Sequence, residues 1–264
     1  MNIGLIQFDV TFGQPKLNID RAIRLMEQSI ADLWVLPELF HSGYSFTSRD
    51  ELAALAEPIP DGQTCQALLA YAAKQSCAIV AGIAESAGGQ FYNSAALITK
   101  DGVVGVYRKV HLFDREKFWF SPGDLPFSVH KINYVAIGMM ICFDWLFPEA
   151  ARTLALKGAD VLCHPSNLVL PYCQSAMITR CLENRVFAIT ANRIGAESRG
   201  DGSLTFTGGS QIIDPRGQIL FRAGRDTEES VVVSIDPELA RDKSITRNNN
   251  ALNDRRPDMY EMGG

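Results

Sequence analysis

One order of elements occurs twice along the chain, and this repeat constrains the fold more than composition does. Residues 3–8 form a short apolar run ending near Gly13 and Pro15, after which Leu17, Ile19, Ala22, Ile23, Leu25, Met26 and Ile30 follow helical spacing. Leu33-Trp34-Val35-Leu36 reads as a buried strand stopped by Pro37, residues 64–76 as an Ala/Leu-rich helix and residues 78–83 as a third strand. Residues 93–99 and 103–107 flank Lys100-Asp101-Gly102, and an Asp-Gly pair between β-rich runs marks a hairpin because its turn residues must tolerate positive φ. The second half repeats the order: a strand at 135–141, a helix at 148–157 closed by Gly158, a strand at 161–164 stopped by Pro165, a helix at 174–186 and a strand at 187–190. A hairpin then joins 210–213 to 219–221 across Asp214-Pro215-Arg216-Gly217. Even the letters echo, with Ala31-Asp32-Leu33-Trp34-Val35-Leu36-Pro37 matching Ala159-Asp160-Val161-Leu162-Cys163-His164-Pro165.

Each half thus reads as β-α-β-α-β followed by a hairpin. Continuous apolar strands need cover on both faces, and two helices per half cover only one face of each sheet. The other face must meet the other sheet, so the expected class is α/β: a four-layer α-β-β-α sandwich of two sheets with pseudo-twofold symmetry. A doubly wound sheet would need helices between nearly all strands, and the two hairpins count against it. With 264 residues, 47% of them hydrophobic, and no Ser/Gly/Pro-rich linker, residues 1–264 read as a single domain.

Charge and spacing exclude several roles. Lys and Arg number 25 against 30 Asp and Glu, a net charge of −5 with no block of like sign, which speaks against a nucleic-acid partner. The longest apolar stretch, 134–143, is far short of the roughly 18 residues that span a bilayer, and Met1-Asn2-Ile3-Gly4-Leu5 lacks the basic opening of a secretory signal. No membrane partner is expected, and the location expected is cytoplasmic. Cysteines 65, 77, 142, 163, 173 and 181 show no CxxC, so they read as reduced and mostly buried, and the histidines at 41, 111, 130 and 164 are too scattered for metal spacing. Neither a metal nor a cofactor is expected, and no GxGxxG or GxxxxGK[ST] nucleotide loop occurs.

Three residues stand where chemistry is done. Cys142 ends the apolar strand at 135–141 just before a helix, a turn whose free backbone N–H groups favour thiolate and can hold an oxyanion; on position alone it is a nucleophile or a core cysteine. Glu38 directly follows Leu33-Trp34-Val35-Leu36-Pro37, where a carboxylate is a partly desolvated base or simply reaches water. Lys109, after the hairpin strand at 103–107, would alone be an edge guard.

Together, in this order, they resemble the Glu-Lys-Cys triad of the nitrilase superfamily of carbon–nitrogen hydrolases. The matching segments are Leu36-Pro37-Glu38-Leu39-Phe40, Tyr107-Arg108-Lys109-Val110-His111-Leu112-Phe113 and Met140-Ile141-Cys142-Phe143-Asp144-Trp145-Leu146-Phe147-Pro148-Glu149. The resemblance extends to Tyr92-Asn93-Ser94-Ala95, Ser121-Pro122-Gly123-Asp124 and Asn253-Asp254-Arg255-Arg256-Pro257, and is similar in particular to short archaeal-type nitrilases through Arg115-Glu116-Lys117 and His164-Pro165-Ser166-Asn167-Leu168-Val169. It implies the same sandwich (the nitrilase fold), with Cys142 as nucleophile, Glu38 as base, Lys109 and the Phe143 N–H stabilising the oxyanion, and Glu116 assisting.

The implied activity is cleavage of a non-peptide C–N bond in a small, aliphatic nitrile or amide to acid and ammonia through a cysteine thioester. A noncatalytic scaffold would have no need of the triad. Pocket candidates are Phe113, Phe118, Trp119, Trp145, Asn167, Leu168 and Tyr172, mostly apolar, while Arg115 or Lys117 would suit one carboxylate. An ω-amidase or an N-carbamoyl-amine amidohydrolase therefore stays open. The resemblance also implies a homodimer or larger assembly paired through the helices at 148–157 and 174–186, with the tail at 241–264 on a neighbouring subunit, where Leu252, Met259, Tyr260 and Met262 would find cover.

Overall fold

The computed structural model describes residues 1–260; Met262 lies outside them. The first half contains β1 (Asn2–Gln7), α1 (Pro15–Met26), β2 (Leu33–Val35), α2 (Arg49–Leu55), α3 (Gln63–Gln75), β3 (Ala78–Ala87), β4 (Gln90–Thr99) and β5 (Gly102–Arg108). A short α4 (Glu116–Trp119) and β6 (Val129–Ile132) lead into the second half: β7 (Val135–Met139), a 3-10 turn at Cys142–Leu146, α5 (Pro148–Leu156), β8 (Val161–Pro165), α6 (Cys173–Asn184) and β9 (Phe187–Ala191). Then come β10 (Ala196–Arg199), β11 (Gly202–Thr205), β12 (Gln211–Ile213), β13 (Ile219–Arg222) and β14 (Glu229–Ser234).

Twelve of these strands form two six-stranded sheets, ordered β14-β1-β2-β3-β4-β5 and β13-β12-β9-β8-β7-β6, and β10 and β11 pair separately as an antiparallel hairpin. Read from β6, the second order repeats the first strand for strand, β1-β2-β3 and β7-β8-β9 being the parallel triplets. Alternation along a strand sends successive side chains to opposite faces. Leu33 and Val35 accordingly join Ile3, Leu5, Val80, Ile137, Val161 and Ile189 in one core between the sheets. Trp34, between them, faces outward onto Leu25 and Met26 of α1 and Leu68 of α3. Leu154 of α5 and Met177 and Cys181 of α6 cover the second sheet. The four layers expected from element order are present. Among the described residues no helix is long and apolar enough to cross a membrane.

The departures have physical causes. Strands β14 and β6, which pair antiparallel with β1 and β7 and complete the two sheets, have half-buried, weakly alternating sequences. Helical spacing suggested that α1 runs to Ile30, but the helix stops at Met26 and Ile30 is 82% exposed, an apolar side chain in a turn rather than on a buried stripe. Within the chain, the first residues of the tail are tied to the second half: Lys243 Nζ donates to the carbonyls of Asn184 and Arg185, and Arg241 pairs with Asp160.

One glycine ties the first sheet to the segment after β2. Any Cβ on Gly82 of β3 would overlap Glu38 Cα and stand 2.8 Å from Leu39 N, both backbone atoms that cannot swing away. Gly82→Ala is expected to destabilise the fold by about 1–3 kcal/mol, measured by urea denaturation. An unchanged midpoint would mean that residues 37–39 do not rest on β3.

Candidate active site

Glu38, Lys109 and Cys142 each follow a strand end, after β2, β5 and β7, and all three are buried. Lys109 is fixed along its backbone, its N–H donating to Asn93 O at 2.8 Å and its carbonyl accepting from Gly123 N at 2.9 Å. The preceding Arg108 points away, to Glu85 and Asp124 and over the Tyr92 ring. Lys109 Nζ then reaches two carboxylates, Glu38 Oε1 and Glu116 Oε1, each at 2.7 Å. Burial opposes its charge, but the two carboxylates outweigh burial and hold the ammonium well above the ordinary lysine range.

The carboxylates are held in turn. Asn93 Nδ2 donates to Glu38 Oε1 at 2.7 Å, while Glu38 Oε2, also buried, has no partner among the described residues. Tyr44 Oη donates to Glu116 Oε1 at 2.7 Å and Phe113 N to Glu116 Oε2 at 3.2 Å. Burial raises the Glu116 pKa, Lys109 opposes this and Glu38 adds to it. The Tyr44 loop is pinned by Glu197, which accepts from Tyr44 N and from Ser45 N and pairs with the buried Arg193.

Cys142 has φ +41°, rare for a residue with a side chain and of order 1–3 kcal/mol in strain. Several bonds impose it. Asp144 Oδ2 accepts from Ile141 N at 2.8 Å and from Tyr107 Oη at 2.7 Å, and Oδ1 pairs with His111 Nδ1 at 2.7 Å. The Cys142 carbonyl accepts from His164 Nε2 at 2.9 Å. Leu39 (φ 48°) and Asp114 (φ 45°) carry the same strain beside Glu38 and Glu116, whereas Ser76 and Arg185, also at positive φ, only close helices.

Burial is the largest influence on Cys142 and raises its pKa well above the usual cysteine value, and Glu38 adds to the rise; Lys109 and the Asn167 backbone N–H oppose it without prevailing.

Beside Cys142 lies a cleft of about 10 Å³, roughly the space one water needs, walled by Phe113, Phe143, Trp145, Asn167, Leu168, Val169 and Leu170. Phe113 also lines a cavity of about 190 Å³, with Tyr44, Phe46, Arg115, Glu116, Trp119, Phe120 and Leu204 among its other walls. The sequence candidates Phe113, Trp145, Asn167 and Leu168 therefore meet at the cysteine, and Trp119 and Arg115 at the larger cavity. Tyr172 and Phe118 are mostly exposed, at 62% and 69%, and neither lines these two spaces. Lys117 lies in a separate cleft with His111 and Phe147. Tyr44, Asn93, Asp144 and Glu197 carried no signal of their role in the sequence.

The fold thus brings Glu38, Lys109 and Cys142 from three strand ends together with Glu116 of α4. The carbon-nitrogen hydrolase family model matches residues 5–243. The chain is 45% identical to a nitrilase of Pyrococcus abyssi, over 98% of this chain and 99% of the relative, and 39% identical to an (R)-stereoselective amidase of Pseudomonas sp, over 97% and 92%. A crystal structure of a carbon-nitrogen hydrolase from Helicobacter pylori G27 superposes with a TM-score of 0.82 at 29% identity, covering 91% of each chain. The chain belongs to the carbon–nitrogen hydrolase family, the nitrilase superfamily, and is an enzyme of that class.

The hydrogen bonds of His164 give a pH test. With Nε2 donating to Cys142 O, Nδ1 faces the Thr190 hydroxyl, and burial lowers the pKa to about 4; the Cys142 carbonyl and Asp144 raise it and Lys109 lowers it further. A folded pKa below the unfolded value near 6.5 means that the stabilisation is complete above pH ~6.5 and lost as pH falls toward 4, by up to about 3 kcal/mol. Urea denaturation between pH 7 and 4 is expected to show a steeper acid loss in the wild type than in His164→Asn. Parallel curves would mean that His164 titrates normally in the fold.

Proposed function

We propose that the protein hydrolyses the non-peptide C–N bond of a small, largely apolar aliphatic nitrile or amide, releasing acid and ammonia through a thioester on Cys142. The observation that carries this reading is the divided Glu38 carboxylate: Oε1 is anchored by Lys109 and Asn93, and Oε2 is buried and free. A buried acceptor without a donor is the group that a neighbouring thiol proton satisfies.

Glu38 takes the Cys142 proton as sulfur attacks the substrate carbon. An ammonium has three donors and Lys109 uses two, so the third is available to the charge that builds on substrate oxygen or nitrogen, together with the Phe143 N–H in the first turn after Cys142. In an amide, Glu38 returns the proton to the departing nitrogen and ammonia leaves a thioester. Glu38 then removes a proton from water, hydroxide displaces the sulfur as acid, and Glu38 returns that proton to Cys142. A nitrile reaches the same thioester after its thioimidate takes up one water. Glu116, paired to Lys109, fixes where that ammonium points.

Phe46, Phe113, Trp119, Phe120 and Leu204 favour a small apolar substrate body in the 190 Å³ cavity. Arg115 on the same wall favours one alternative, an ω-amide bearing a carboxylate; an N-carbamoyl amine is the other. Assembly as a homodimer through α5 and α6 is part of the proposal, supported by Leu156 and Leu182, each nearly half exposed on those helices. Such an interface would bury about 2,000 Å² or more.

Cys142→Ala is expected to abolish ammonia release from small nitriles and amides while preserving the fold, as read by circular dichroism. Glu38→Gln should lower turnover by about 10²–10⁴ and slow alkylation of Cys142, whereas Lys109→Ala should abolish turnover and leave Cys142 alkylatable. Wild-type ammonia release from either the Glu38 or the Lys109 variant would refute the triad. Light scattering of active protein at micromolar concentration checks the dimer, and a mass near one chain would exclude it.

A further inference from the structure

We infer that Asn167 is the residue by which this site distinguishes a carboxamide or ureido group from a nitrile. The inference rests on the proposed function and adds a specificity determinant to it.

Asn167 is 2% exposed, in the loop after β8, on the wall of the cleft that Cys142 lines. The loop is fixed on both sides: Ser166 N donates to Ala191 O at 2.8 Å and Leu168 N to Asn192 Oδ1 at 2.8 Å. Asn192 itself is held by Gly208 O at 2.7 Å. Yet neither Asn167 Oδ1 nor Nδ2 has a partner among the described residues. Asn18, in contrast, uses both ends of its amide on backbone groups and thereby shapes its loop. A buried amide with donor and acceptor both unmade, on a backbone that cannot relax, is complementary to a ligand.

The ligand group is specified by that pair of functions. A planar carboxamide or ureido presents the reverse pair, an N–H for Oδ1 and an oxygen for Nδ2. A nitrile is linear and offers an acceptor nitrogen alone, so it leaves Oδ1 unpaired. Of the other walls beside Asn167, Phe113, Phe143, Leu168, Val169 and Leu170 are apolar and Trp145 brings only an indole donor, so none offers a donor and an acceptor together. The side chain is also neutral, so it reads the substrate without altering the charge balance of Lys109, Glu38 and Glu116. A site built to hydrogen-bond a group discriminates strongly against the analogue that lacks it.

The test uses matched pairs that differ only in this group. For butanamide and butanenitrile, Asn167→Leu is expected to lower kcat/KM for the amide about tenfold or more while the nitrile changes by less than about threefold. Leucine is near in size to asparagine and joins Leu168, Val169 and Leu170; Asn167→Ala should shift the ratio the same way and guards against misfit. Where the wild type turns over only the amide, the nitrile is scored as a competitive inhibitor whose constant should stay within about twofold; turnover of the nitrile alone would overturn the inference. Alkylation of Cys142 by iodoacetamide and by iodoacetonitrile gives a readout independent of turnover. The ratio of the two rate constants should fall about fivefold in both variants. Equal effects on both members of each pair would overturn the role of Asn167. Failure of the wild type to hydrolyse any nitrile, amide or N-carbamoyl compound would instead overturn the proposed function, and the alkylation pair would still decide Asn167.

Discussion

A lysine ammonium held between two carboxylates, all three out of reach of water, is the constraint to which the rest of this structure is fitted. A charge in such surroundings is tolerable only when paired and hydrogen-bonded, and removal of one partner leaves another stranded. Lys109 therefore fixes Glu38 and Glu116 as firmly as they fix it. The outer bonds spread the demand across the fold: Asn93 from β4, Tyr44 from the loop before α2, and Phe113 from the approach to α4. Through Glu197 and Arg193 the Tyr44 loop is anchored to chain that follows β9 in the second sheet. A buried ion pair is weak evidence of stability; here its effect is to fix geometry.

The same burial explains why a protonated thiol suits the proposed chemistry. Transfer of the Cys142 proton to Glu38 moves a negative charge from oxygen to sulfur within one dry cluster and creates none. The net charge beside Lys109 is unchanged, so the transfer avoids the desolvation penalty that a free thiolate would bring. The strained turn at Cys142 belongs to the same design, since Asp144, His164 and Tyr107 hold the sulfur in place by bonds to the turn rather than to the sulfur itself.

Much of this was legible in the sequence where the signal is local. Leu33, Trp34 and Val35, and Val161, Leu162 and Cys163, are runs buried on both faces, and such runs announce inner strands. Strands β6 and β14 did not announce themselves because an edge strand is half covered. Glu38, Lys109 and Cys142 were found through motifs whose spacing the chain retains. Tyr44, Asn93, Asp144 and Glu197 were not assigned roles, since a hydrogen-bond partner 55 or 72 residues away in sequence leaves no periodic trace. Tyr172 was among the pocket candidates, yet its position just before α6 leaves it 62% exposed.

The repeat that sets the fold also sets where chemistry can occur. In the first sheet β5 runs antiparallel to β4, and β4 to β3, so β5 ends at the same side as the parallel strands. Glu38 and Lys109 thus emerge together. In the second sheet the parallel strands β7 and β8 deliver Cys142 and the loop of Asn167 to one end as well. A parallel bridge from Asp9 to Ile194 joins the carboxyl end of β1 to that of β9, so the two sheets bring these ends to the same side. In the echoed segments Glu38 and Ser166 occupy the same place, as do Leu39 and Asn167. The halves share a backbone plan but not their side chains: the first supplies Glu38, and the chain just after it Lys109, while the second supplies Cys142 and the loop of Asn167. Neither sheet alone could enclose the cluster, because each covers it from one side only, and the burial that raises the Cys142 pKa exists only where both meet.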